Sequence, residues 1–346
     1  MAIEDRAIVV GISKYPDLGD LGGPENDAQD FYNWVVGAGA VKPENAKLIL
    51  SSTLVPPPPW PVANAEPTTT AIYREIDWLN DLAAQNDKAG VGYKAGKRLY
   101  LFFAGHGFGP RLEEAAILMA NATKKKAPYH IPGRLNALRF LQEGMFEEVI
   151  LLMDCCREVQ RRVPLAALPY TEEFVPIPDI SKRFFGYSCK QAQLSREKPI
   201  NGQTRGVFTA TVMEGLRGAA AVNTTITASS LGSYVYDNMK KLLDKGDLLD
   251  DQVAKEPDLD YDPNAGKNFV IATIADPTFP VTITFTPGRY GREIKLLDGK
   301  LALVAKTTAS ATGWTLPLQR AMYRLYDGAD EKSLEVPGVG PVNDTF

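Results

Sequence analysis

Five short, nearly unbroken apolar runs mark the first 190 residues: 6–12, 47–50, 98–103, 149–153 and 184–189. None alternates polar with apolar, which is the pattern of strands buried on both faces of a parallel sheet. Between them the period changes. Helices are predicted at about 25–36, with Asn26 or Asp27 as N-cap, and at 70–84, where Ile72, Ile76, Leu79 and Leu82 recur at helical spacing. Further helices are predicted at 134–143, 206–216 and 229–243. The Gly/Pro/Asp-rich stretch 13–24 reads as a loop. The prolines of 56–61 exclude regular structure and predict an extended surface loop. Strands alternating with helices predict an α/β three-layer sandwich with a mostly parallel central sheet. In such sheets, functional groups gather at the carboxyl ends of strands.

The pattern changes after residue 246. Residues 247–267 are acidic and Pro-punctuated, and read as a linker or loop. From 268 onward short strand-like runs follow at 269–273, 281–285, 293–297, 301–305, 314–318 and 322–326. Turn pairs such as Pro287-Gly288, Asp298-Gly299 and Asp327-Gly328 separate them. This predicts a small C-terminal antiparallel β-sandwich. The expected organisation is therefore a main domain over 1–246, a linker over 247–267 and a β domain over 268–346.

Composition narrows the function classes. The chain has 346 residues, 45% of them hydrophobic and 23% charged, ordinary for a globular protein. A net charge of −4 argues against a nucleic-acid-binding surface. No apolar run reaches the ~18 residues that span a bilayer, and the acidic start shows no signal peptide, so a cytoplasmic protein is expected. Three cysteines form no disulfide framework and indicate a reducing compartment. There is no CxxC, HExxH or helically spaced His pair, so neither a metal centre nor another cofactor is expected. Asp258, Asp260 and Asp262 resemble the start of a calcium loop. Pro263 at the sixth position and Phe269 at the twelfth exclude an EF-hand. A looser calcium site stays open.

The candidate chemistry sits where two apolar runs end. Ala104-Gly105-His106-Gly107 closes one, and Asp154-Cys155-Cys156-Arg157 closes another. The chain has only two histidines, so an imidazole and a thiol at two strand ends point to Cys–His chemistry. His106 would act as general base and then as acid toward the leaving amine. Gly105 and Gly107 allow a sharp turn and close approach of substrate. The N–H groups of Gly107 and Cys156 are candidates for an oxyanion hole. Strand alternation sends Cys155 and Cys156 to opposite sides, and that argument alone does not choose the nucleophile. Asp154, two residues before Cys156, faces the same side, so a carboxylate beside the nucleophile suggests a cationic P1 residue.

These motifs resemble the caspase and metacaspase clan of cysteine peptidases, in a bacterial-type form. In caspases the His lies about 50 residues before the Cys, and here His106 precedes Cys156 by 50 positions. Supporting pieces lie at 6–12, 22–28, 184–197, 207–209, 215–218 and 226–228. The resemblance spans about residues 3–240 and implies Cys156 as nucleophile with Cys155 its buried neighbour. Asp154 stands where animal caspases have Gln, as in metacaspases. Arg157 stands where metacaspases usually have His, which weakens the case for a metacaspase-like calcium response. Asp27 matches the position of a second pocket acid, although a first-turn helix acid would look the same. Two carboxylates suit a guanidinium better than an ammonium, which implies cleavage after Arg, then Lys, and not after Asp. Residues 184–189 would offer a strand edge to an extended substrate. Cys189 is expected in the core and His130 at the surface. Arg161 and Arg162 would be self-processing sites or simply a solvated loop. The implied partners are protein or peptide substrates and an upstream activating protease or regulatory partner, in cell-death or defence cascades. The rival readings are a non-cleaving scaffold and a clan relative with another P1 preference.

Overall fold

The five apolar runs are all strands of one sheet. The computed structural model describes residues 4–54, 57–124, 129–158, 165–170, 181–222, 224–261, 269–274, 278–337 and 342–346. In chain order it holds β1 (Arg6–Gly11), α1 (Pro24–Val36), β2 (Ala46–Leu50), α2 (Thr69–Lys88) and β3 (Arg98–Ala104). Next come β4 (Gly107–Arg111), β5 (Glu114–Leu118), β6 (His130–Pro132), α3 (Gly133–Gln142), β7 (Glu148–Asp154) and β8 (Lys182–Tyr187). A hairpin of β9 (Glu197–Ile200) and β10 (Gln203–Gly206) leads into α4 (Val207–Glu214), β11 (Thr225–Thr227) and α5 (Ala228–Asn238). The series continues with α6 (Lys245–Leu249), β12 (Asp258–Asp260) and β13 (Val270–Thr273).

The central sheet has the order β12-β8-β7-β3-β1-β2. All neighbours are parallel except β12, which runs antiparallel to β8. Both faces are covered. On one, Phe31 of α1 stacks on Phe102 with ring centroids 4.9 Å apart, and Tyr100 packs edge-on. On the other, Ile8, Val10, Leu101, Phe103 and Leu151 join Ile72, Ile76 and Leu79 of α2 and Phe140 of α3 in one buried cluster. Burial of each such side chain contributes ~1.5–3 kcal/mol. The α/β three-layer class expected from the apolar pattern is the one the chain adopts.

Several local expectations are corrected. Helix α1 is capped by Gly23, with Pro24 in its first turn, and not by Asn26 or Asp27. Pro at the start of a helix gives up an N–H that has no intrahelical acceptor anyway. Residues 247–260 are not a linker: they complete α6 and supply β12 to the sheet. Strand β8 therefore offers no free edge over 185–187, because Asp258–Asp260 pair with it. Strand β13 pairs with β11 and not with the C-terminal strands. His130 is buried, with Nε2 accepting the Ala166 N–H at 3.0 Å and the ring against Phe108. Trp60, in the Pro-rich loop, is buried as well.

The chain divides into two units, Met1–Ala221 with Thr225–Ala272, and Val222–Thr224 with Thr273–Phe346. The second contains β14 (Thr278–Thr284), β15 (Glu293–Leu297), β16 (Leu303–Thr308), β17 (Trp314–Gln319), β18 (Ala321–Tyr326), β19 (Glu331–Val336) and β20 (Val342–Thr345). Sheets β17-β14-β20 and β16-β15-β18-β19 enclose Val281, Ile283, Ile294, Leu296, Leu318 and Leu325. The expected small β-sandwich is present, with one parallel pair, β14 with β20.

Candidate active site

Strands β3 and β7 run level from Arg98 opposite Glu148 to Ala104 opposite Asp154. Two residues further along each chain lie His106 and Cys156. Gly105 makes the exit possible on the first strand. Its φ is 155°, and a Cβ there would lie 2.4 Å from the Tyr15 hydroxyl, a place only glycine tolerates. That hydroxyl accepts the His106 backbone N–H at 3.1 Å and donates to the Leu118 carbonyl at 3.0 Å. The Tyr15 ring meets the imidazole edge-on at 4.7 Å. His106 Nε2 lies 2.9 Å from the Gly19 carbonyl oxygen. A carbonyl only accepts, so Nε2 carries the proton and Nδ1 keeps a lone pair for use as a base.

The structure separates the two cysteines. Cys155 is packed in the core beneath the sheet end, and burial holds its thiol well above the ordinary value. Cys156 is half-buried, with Sγ 4.0 Å from the Ser195 carbonyl oxygen. Burial also raises the Cys156 thiol. Glu158 and Asp154 act in the same direction, while the Ser195 backbone and Arg196 act against it. Cys189 is buried and pushed up to about 12, chiefly by desolvation. Gly107 faces Ile117 in the ladder between pairs bonded at His106 and Phe108, so its N–H points away from β5.

Asp154 and Asp27 meet across Gly206. A Cβ on Gly206 would lie 2.1 Å from Asp154 Oδ2 and 3.0 Å from Asp27 Oδ2. Asp154 Oδ1 accepts from Ser195 Oγ at 2.7 Å. Its Oδ2 accepts from the Thr209 N–H at 3.1 Å and the Thr209 hydroxyl at 2.7 Å. Asp27 accepts the Gly206 N–H at 2.7 Å and the Arg205 Nε–H. Burial, then the charge of Asp154, pushes Asp27 up to about 7, with Arg205 opposing both.

His106, Cys156, Asp27, Asp154, Glu197 and Gly206 line one cavity of about 100 Å³. Arg161 and Arg162 lie outside the described residues. Arg157 is no solvated residue. It is fully buried, donating to Asp258 Oδ2 at 2.5 Å and to the Cys189 carbonyl at 3.1 Å, above the Tyr187 ring. Asp260, also considered for calcium, pairs with Arg134 and Arg183, and Asp262, the third such acid, lies outside the described residues. No role for Ser195, Glu197, Arg205 or Thr209 was read from the sequence, although Ser195, Glu197 and Thr209 fall in the resembling stretches 184–197 and 207–209. Arg205 has only the glycine that follows it, directly before an apolar helix, as a local signal.

An α/β protein with an imidazole and a thiol at adjacent parallel strand ends, above two acids, is the class that fold and cavity define. No family model matches the chain. A protein named as a probable protease, from a Desulfuromonadales bacterium, is 24% identical over 226 residues. The match takes in 62% of this chain and 26% of that protein, so the chain spans about a quarter of the length of this curated relative. Among solved structures, caspase-1 from Spodoptera frugiperda matches 75% of this chain and 88% of its own, with a TM-score of 0.47 and 12% identity. A structure described as pro-sf-caspase-1 matches 75% and 87%, with a TM-score of 0.41 and 12% identity. Among the described residues, no helix is long and apolar enough to cross a membrane.

Proposed function

We propose that this chain is a caspase-like cysteine endopeptidase of the cytoplasm that cleaves proteins after basic residues, Arg over Lys, within a regulated proteolytic cascade. The observation that carries the reading is that His106, Cys156, Asp27 and Asp154 line one cavity. His106 Nδ1 takes the Cys156 Sγ proton as sulfur attacks the scissile carbonyl carbon. The oxyanion so formed accepts from the N–H groups of Gly107 and Cys156, each donor of this kind contributing ~3 kcal/mol. His106 returns the proton to the leaving amine, and water then hydrolyses the thioester. Because burial keeps the Cys156 thiol protonated at rest, proton transfer accompanies attack and does not precede it.

The acid pair retains capacity for a guanidinium. A carboxylate offers about four acceptor positions. Asp27 uses two and Asp154 three in the hydrogen bonds described above. The remaining positions face a P1 side chain entering from the cavity. A second reading, a clan relative with another P1 preference, is favoured by the ion pair that Arg205 already makes with Asp27.

The test compares the unaltered chain with Cys156→Ala on peptides differing only at P1 (Arg, Lys or Asp), with and without calcium. Cleavage after Arg that vanishes in the variant is the expected result. Cleavage after Asp would remove the pocket role of Asp27 and Asp154 and keep the dyad. No cleavage, even after treatment with a trace of activating protease, would leave the scaffold reading.

A further inference from the structure

Asp27 is a poor place for a negative charge. Asp154 faces it from β7, Glu197 lines the same cavity from β9, and Asp30 stands one turn along α1. The compensating groups come from one strand. From β10, the Gly206 N–H and Arg205 Nε both donate to the Asp27 carboxylate. Arg205 Nη2 also donates to Asp30 Oδ2 at 2.7 Å, and the other Asp30 oxygen takes Arg217. Arg205 is largely buried in this position and is not among the residues that line the cavity with Asp27.

We propose that Arg205 is a positioning residue for recognition of a cationic P1 side chain: by donating to the Asp27 carboxylate from β10 it fixes that group's orientation and favours its charged form. The proposal rests on the peptidase reading above and deepens it. Burial and Asp154 raise Asp27 to about 7, and Arg205 is the main group holding it down. Without Arg205 the group rises further and is a neutral acid at neutral pH, which pairs poorly with a guanidinium. The direction of the effect is therefore fixed. Loss of Arg205 moves the acid limb of cation binding to higher pH and leaves the alkaline plateau in place.

Agmatine carries a guanidinium and no scissile bond, so its binding separates recognition from catalysis. Calorimetry would follow agmatine binding to the full Cys156→Ala chain, alone and with Arg205→Gln or Arg205→Lys, from about pH 5 to about pH 9. In the parent, affinity is expected to rise through pH about 7. In Arg205→Gln the limb moves up by about one unit, so affinity drops about fivefold near neutrality and about tenfold well below it, and converges at alkaline pH. Arg205→Lys recovers most of the loss. If Arg205→Gln does not fold, Asp30→Asn serves instead: it leaves Arg205 wholly to Asp27 and shifts the limb to lower pH. An unmoved limb, an equal loss at every pH, or tighter binding in Arg205→Gln would each overturn the proposal. The last result would make Arg205 an internal blocker of the pocket. Failure of the parent to bind agmatine at any pH would instead defeat the cationic-pocket reading itself.

Discussion

Cys156 is a guarded thiol. Burial lifts it above the ordinary cysteine value, so alkylation by iodoacetamide is expected to be slow at neutral pH and to accelerate as pH rises past that value. Labelling followed by peptide mapping should show Cys156 reacting ahead of the buried Cys155 and Cys189, and the reverse order would remove it as nucleophile. Tyr15 supports His106. In Tyr15→Phe the His106 N–H and the Leu118 carbonyl each lose a partner, at ~1–3 kcal/mol per buried group. A lowered melting temperature is expected, with kcat reduced more than KM is raised. His106 and Cys156 were legible because an apolar run stops three residues before each. The choice between the two cysteines was not legible from alternation, since that depends on which face of the sheet end meets the core. The roles of Arg205 and Thr209 were not legible for a different reason: their partners Asp27 and Asp154 lie 178 and 55 positions away.

Two elements without an apolar signature organise the cavity. The hairpin β9–β10 is tied to the start of α1 by Glu197, which accepts from the Gly22 and Gly23 N–H groups, and by Asn26, which donates to the Thr204 carbonyl. Gly206 ends this hairpin where the two acids converge. Gly206→Ala is therefore expected to push Asp154 out of its Thr209 hydrogen bonds and to reduce cleavage after Arg at least tenfold in kcat/KM. An unchanged value would show that the acids do not read P1. Strand β12 is three residues long and reads Asp-Leu-Asp, so no periodicity announces it. It matters because Asp258 neutralises Arg157, the fully buried residue that follows Cys156. Asp258→Ala strands a buried guanidinium, and a loss of ~3–5 kcal/mol in chemical denaturation is expected. Helix α3 has a comparable long-range support. Glu114 of β5 accepts the N–H groups of Arg134 and Leu135 in its first turn.

Across the molecule, the buried acids set how stability responds to pH. Glu114, like Asp27, is raised to about 7, in both cases mainly by burial. Each is protonated in the folded chain over a range where the unfolded chain has released the proton. Their contribution therefore favours folding at the acid side and fades as pH rises from about 4 to about 7. In Glu114→Gln the slope of melting temperature over that window should become shallower, and an unchanged slope would mean the acid is already ionised there. The two units each enclose their own apolar cluster, so a chain ending at Ala272 is expected to keep its circular dichroism and its Cys156 reactivity. Most of the parallel sheet could be read from its apolar runs. The last two strands of the β unit could not, because β19 buries only Leu334 and Val336 and β20 buries no residue fully.

The level pairing of β3 with β7 turns a count of residues into a gauge. The 50 positions between His106 and Cys156 equal the offset of every pair between these strands, so level pairing brings the two residues out at the same height. The excursion through β4, β5, β6 and α3 leaves the sheet and returns at one height. A slip of a single position is not tolerated. It would bring Cys155 level with His106 and aim its sulfur into the opposite layer, so Cys155 could not stand in for Cys156.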